Sequence, residues 1–340
     1  MTSYTTLLAY FSLALTGYVL AWIAYARLFH PLKHIPGPFW ASISRLWMVR
    51  HLWRGDMDVV QRGLHQKYGP LVRIAPDELA CAAPEAISKI YPTSKPLAKQ
   101  HGFYSVWQNK SLSKYPSHFS NTDEKLHSER RRIVNNVYSM STILSLEPYI
   151  DDCSRLFVRR MGEFADSGAV IDLGDWLQWY VRSLLSRPRL LKKKTHCDIN
   201  RYAFDVVGEL FFGEQFGFME NAHDHEGYIA ACDALLPVLI TAGMSSPVVR
   251  NVILGSSLFS SAARKGLKAV DHIAAAARGC VATRLNADSS EKSKTGRTDL
   301  LHHLLEIAKN KGEAVDFGRG EVELEANVAM YEAYRCPMPL

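Results

Sequence analysis

The stretch KYGPLVRIAPDEL, Lys67–Leu79, switches the local hydrophobic period twice in thirteen residues. Upstream of it, Val59, Val60, Leu64 and Tyr68 recur near helical spacing, so Asp58 to Tyr68 reads as an amphipathic helix. Gly69-Pro70 stops that helix. Leu71 to Ala75 then alternates in the manner of a strand, Pro76-Asp77 turns the chain, and Glu78 to Ala82 is apolar enough to pair back. Outward from this point the sequence is helical. Helices are expected over Pro84–Tyr91, Asp123–Met140 and Leu144–Phe164, and over most of the chain to Ala308. Gly168–Asp175, Asn286–Arg297 and Lys309–Gly320 read as polar connections, and Glu321–Met330 as the start of a further helix. The expected fold class is mainly α with a small N-terminal β portion.

Toward the N-terminus, Met1 to Ala26 carries no charged side chain. Leu7–Tyr25 within it, LLAYFSLALTGYVLAWIAY, has the length that crosses a hydrocarbon core, about 20 residues at 1.5 Å each. No basic residue precedes it and bulky residues follow, which suits a retained anchor rather than a cleaved signal. Arg27, His30, Lys33 and His34 flank its C-terminal side and set that side in the cytosol by the positive-inside rule. The expectation is a single-pass protein of the endoplasmic reticulum membrane, anchored by residues 1–27. The sequon Asn109-Lys110-Ser111 would then never meet the glycosylation machinery. Ile35-Pro36-Gly37-Pro38 cannot continue a helix and reads as a stiff break behind the anchor.

With 47% hydrophobic and 22% charged residues the composition is that of a folded chain. The net charge of +6 is not spread over a face. Val181–Tyr202 holds seven basic residues against one acidic, which equals the whole excess, so no nucleic-acid partner is expected. The six cysteines are scattered with no C-x-x-C pair, which reads as reduced thiols. No G-x-S-x-G, H-E-x-x-H, P-loop or G-x-G-x-x-G occurs, and His223-Asp224-His225-Glu226 reads as a polar loop rather than a metal cluster.

The order of these pieces resembles fungal microsomal cytochromes P450 of secondary metabolism. The anchor, HPLKHIPGP (His30–Pro38) and KYGPLVRIAPDEL come first. HSERRRIVNNVYS, from His127, is similar to that family's C-helix. YAFDVVGELFFGEQFGF, from Tyr202, is similar to its E-helix and the following turn, and DLLHHLL with VELEANVAM to the approach to its central I-helix. The resemblance implies a partial P450 fold over residues 28–330, haem as cofactor, a small apolar substrate, membrane lipid as surroundings and a reductase of the NADPH-cytochrome P450 type as electron donor. It also implies that His127 and Arg131, four residues apart on one helix face, reach the haem propionates.

The sequence also departs from the family. A P450 binds iron through a Cys thiolate in a loop of form F-x-x-G-x-[RH]-x-C-x-G. None of Cys81, Cys153, Cys197, Cys232, Cys280 and Cys336 has that context, so no axial ligand, other metal ligand or catalytic residue is assigned, and the chain as written is expected not to hold haem or to be active. From Tyr331 the residues to Leu340 do not follow the family's A-G-x-[DE]-T and read as an aberrant tail. Val181–Tyr202 reads as an exposed, poorly ordered insertion of unspliced-intron character, because Trp176, Leu177 and Tyr180 stay in helical phase with Val206, Val207, Leu210 and Phe211 once it is removed. The alternative function is a non-enzymatic, membrane-anchored helical fragment or pseudogene product.

Overall fold

A computed structural model describes residues 4–92, 97–170, 201–221, 228–255, 261–288 and 298–335. The chain is mostly helical and divides into two compact units, one formed chiefly by residues 1–97 and the other chiefly by residues from Ala98 onward.

The first unit opens with helix Tyr4–Ala24, whose backbone turns on as a wider π-type coil over Tyr25–Phe29. The combined span of 26 residues is long and apolar enough to cross a membrane, and the apolar window has no buried residue. Its lower end is fastened. The Trp22 indole Nε1 donates to the carbonyl of Ile43 at 2.9 Å, and Arg73 Nη1 donates to the carbonyl of Ala26 at 3.1 Å. Helices Phe39–Ile43, Leu46–Arg54 and Met57–Tyr68 follow, then strands β1 (Leu71–Ala75) and β2 (Glu78–Cys81). The strands pair antiparallel with Leu71 opposite Cys81 and Val72 opposite Ala80, and the register shifts between Arg73 and Ala75. Val72, Ile74, Ala75 and Ala80 bury against Met48. Arg73 stands among them at 1% exposure, its guanidinium held by the Pro76 carbonyl at 2.6 Å as well as by Ala26. Burial holds the Arg73 pKa below the usual arginine range, and the neighbouring Arg27 charge adds to the effect.

Gly37 explains the Pro-Gly-Pro break. A Cβ built there would lie 2.3 Å from the Arg73 carbonyl oxygen, while the Arg73 N–H donates to the Pro36 carbonyl at 2.8 Å. The break therefore lies against β1 at a distance only glycine permits.

In the second unit, helices Ser261–Asp288 and Arg319–Arg335 pack closely along small residues such as Ala274, Ala277 and Ala326, with Leu300, Leu301 and Leu304 of helix Leu300–Val315 and Phe211 and Phe212 completing the core. Asp205 is fully buried and caps the turn that follows: its two carboxylate oxygens accept from Phe218 N at 3.1 Å and Met219 N at 2.7 Å.

Several expected boundaries move. Asp123–Met140 is helical only over Glu124–Val134, with the Asp123 side chain accepting from the backbone N–H groups of Lys125 and Leu126. The next helices are Met140–Ser145 and Glu147–Ser167. Lys309–Gly320 is mostly not a connection: helix Leu300–Val315 runs through its first half, and Asp316, at φ 51°, ends it in a left-handed cap before Arg319 starts the next helix. That helix continues past Tyr331 to Arg335. Of the basic segment 181–202, only Arg201 and Tyr202 are described. They open helix Arg201–Val207, and the Tyr202 hydroxyl lies 3.1 Å from Ser154 Oγ, so the expected loop does not extend to Tyr202. The rest of that segment, His223–Glu226 and Cys336 lie outside the described residues.

Candidate functional site

The three arginines of helix Glu124–Val134 divide by position. Arg130 is buried at 8% exposure, donates to the carbonyls of Val315 and Asp316 at 3.1 and 2.9 Å, and stacks 4.1 Å from the Tyr115 ring centroid. It closes the C-terminal end of helix Leu300–Val315, where carbonyls lack helical partners. Arg132 is exposed. Arg131 is exposed as well and makes no ion pair or hydrogen bond among the described residues. It is four residues from His127, so the two lie on the same side of the helix.

His127 is half-buried, its ring centroid 6.2 Å from that of His118. Its Nδ1 is 3.5 Å from Glu124 Oε1, too far for a well-made hydrogen bond, and is otherwise without a partner. Burial first, then the charge of Lys99, pull the His127 pKa below the ordinary histidine value. Lys99 is itself held below the usual lysine range by burial, partly offset by Glu124, with Arg131 adding to the depression. Its Nζ donates to the carbonyls of His118 and Phe119 at 2.9 and 3.2 Å. His118 Nε2 meets Glu325 Oε1 at 2.9 Å, and the Tyr138 hydroxyl donates to Glu325 Oε2 at 2.8 Å. Both oxygens of that buried carboxylate are thereby engaged.

Three buried polar atoms in this neighbourhood have no partner among the described residues: His118 Nδ1, His127 Nδ1 and Asn121 Nδ2. Buried polar groups are almost always satisfied, and of these three atoms the Asn121 amide nitrogen is a donor that, with the exposed Arg131 guanidinium, could take a carboxylate. The carboxylate end of a haem fits that chemistry. The pair expected from the sequence, His127 and Arg131, is brought together by the helix. Lys99, His118, Asn121 and Glu325 were not read from the sequence. They lie on loops or on another helix, at spacings that carry no period, and only the fold gathers them.

Next to this cluster is a cavity of about 60 Å³, lined by Val106–Asn109, Ser117, Phe119, Leu239, Val270, Leu324, Asn327, Val328 and Tyr331. Its walls are mainly apolar. Burial raises the Tyr331 phenol far above its ordinary range, which keeps it neutral. Among the described residues no group of three or more His, Cys, Asp or Glu side chains could hold a metal ion. Cys153 and Cys232 are buried, Cys280 is half-buried and Cys81 is exposed on β2.

Residues 34–187, just under half of the chain, match the Cytochrome P450 family. Over 317 residues, 93% of its length, the chain is 51% identical to cytochrome P450 monooxygenase gsfF of Penicillium aethiopicum, of which it spans 58%. It is 31% identical over 206 residues, 59% of the chain and 37% of the relative, to a cytochrome P450 monooxygenase of Aspergillus terreus. It is also 32% identical over 199 residues, 58% of the chain and 35% of the relative, to cytochrome P450 monooxygenase pkfB of Emericella nidulans.

Proposed function

We propose that this chain carries the substrate-facing and propionate-facing part of a membrane-bound monooxygenase of fungal secondary metabolism. The observation that carries the reading is the adjacency of two features in one unit: an apolar cavity and a cluster of unpartnered polar atoms beside Lys99 and Arg131. The first suits a small apolar substrate, the second the carboxylates of haem, with His127 and Arg131 as propionate contacts. A haem with a thiolate ligand supplies activation of dioxygen when bound. The residues of this chain orient the cofactor's edge, exclude water from the substrate and hold Glu325 between His118 and Tyr138.

Electrons would come from a reductase on the same membrane, with helix Tyr4–Ala24 as the anchor in the endoplasmic reticulum and the rest cytosolic. The 340 residues alone do not hold haem through thiolate, because none of the six cysteines lies in the P450 cysteine-loop sequence. The chain spans 58% of the length of the gsfF relative.

The test is the reduced, carbon-monoxide-bound absorption spectrum of the purified chain. No thiolate-type signal is expected. Such a signal would overturn the ligation argument and send the search back to the six cysteines. Sequencing the transcript around the Tyr180 codon and beyond the Met330 codon tests the insertion and tail together. An in-frame continuation carrying the cysteine loop supports the monooxygenase reading, and its absence supports the non-enzymatic fragment.

A further inference from the structure

Two side-chain amides interrupt the apolar walls of the cavity. Asn327 is 3% exposed, and its Oδ1 has no hydrogen-bond partner among the described residues. Asn109 presents a buried Nδ2 that is likewise unpartnered, while its Oδ1 accepts from the Ser111 N–H at 3.1 Å and the Ser111 hydroxyl at 2.7 Å. Both residues line the same cavity, beside Val106, Leu239 and Leu324.

A buried amide atom left without a partner is costly, and native interiors rarely tolerate it. Water can satisfy such atoms in the unliganded protein, but a ligand that displaces the water must reproduce its hydrogen bonds or lose affinity. We propose that Asn327, with Asn109 as a second polar contact, determines specificity by selecting an otherwise apolar substrate that carries a hydroxyl group. The choice of hydroxyl follows from the chemistry of the amide. Asn327 presents an acceptor in one amide orientation and a donor in the other, and a hydroxyl serves both. A ketone or ether serves only a donor, and a hydrocarbon serves neither. A site built to hydrogen-bond a hydroxyl discriminates strongly against the analogue that lacks it, because its own buried group is then stranded.

This inference rests on the reading of the cavity as a small-molecule site, and the experiment separates the two. The full chain in detergent is titrated with 4-fluorophenol and with 4-fluorotoluene, which differ by hydroxyl against methyl, and binding is followed by fluorine NMR. The methyl compound is the more hydrophobic, so a preference for the phenol reports a hydrogen bond. The phenol is expected to bind roughly tenfold more tightly, the effect of one well-made hydrogen bond in an apolar site. Asn327→Leu should bring the ratio to unity while the toluene still binds. Asn327→Ser, a smaller change that keeps a donor and acceptor, should restore a preference and covers the case in which the leucine variant fails to fold. Leu324→Trp, which fills the cavity, should abolish binding of both compounds. Toluene binding equal to or tighter than phenol binding overturns the polar anchor and leaves the cavity reading standing. Failure of both compounds to bind, or their indifference to Leu324→Trp, overturns the cavity reading and the anchor with it.

Discussion

Gly37 and Arg73 constrain each other through backbone atoms, so the effect of a substitution can be argued atom by atom. Gly37→Ala would set a methyl group 2.3 Å from the Arg73 carbonyl, a contact that only backbone movement relieves. We expect a loss of about 1–3 kcal/mol in chemical denaturation, typical of overpacking. His127 supports a second prediction at this scale. Its pKa in the folded chain lies below the ordinary 6.5, so the unfolded chain takes up a proton first as the pH falls. The stability linked to a neutral His127 is therefore complete above about pH 6.5 and declines below it. Denaturation midpoints from pH 5 to 8 should show that decline in the wild-type chain and a shallower one in His127→Gln. Identical slopes would show that other groups set the pH dependence.

Among the elements, helix Leu300–Val315 depends on one carboxylate. Asp299 is 1% exposed, accepts from His302 N at 2.8 Å as the N-cap, and takes Arg284 Nη2 at 2.6 Å. Asp299→Ala removes the cap and one partner of Arg284, and should cost about 2 kcal/mol. Asp299→Asn, which keeps the cap, should recover part of that loss in the same thermal melt. This helix also shows how far the sequence could be read. The run of polar residues from Lys309 looked like a connection, because residues on a solvated helix face and residues of a loop have the same composition. What fixes the true end is Asp316 in the left-handed region, with Arg130, 186 positions earlier, donating to its carbonyl. No local pattern announces a partner that distant. By contrast, β1 and β2 were legible almost to the residue, since Gly69-Pro70 and Pro76-Asp77 punctuate them and the alternation lies between. Within the site, His127 and Arg131 share one helix and were visible as a pair, whereas Lys99, His118 and Glu325 converge only through the fold.

For the molecule as a whole, the anchor reading makes a direct prediction. Protease added to intact microsomes should digest the chain beyond Arg27, and full protection would reverse the orientation. The sequence foreshadowed a folded chain with a long apolar N-terminal helix, but it gave no sign that the helix end would be tied to the first unit through Trp22, Ala26 and the buried Arg73. Those bonds have a rotational consequence. A protein hung on a slack tether reorients freely in water, whereas a unit bolted to its transmembrane helix turns only as fast as the viscous bilayer lets the helix turn. Cys81, exposed on β2 in the same unit, is a place for a spin label that reads this motion. In membranes the label should rotate with the slow correlation time of the anchor, and Trp22→Phe should quicken it by loosening the bolt. Fast, bilayer-independent rotation in the wild-type chain would mean the helix is a leash after all.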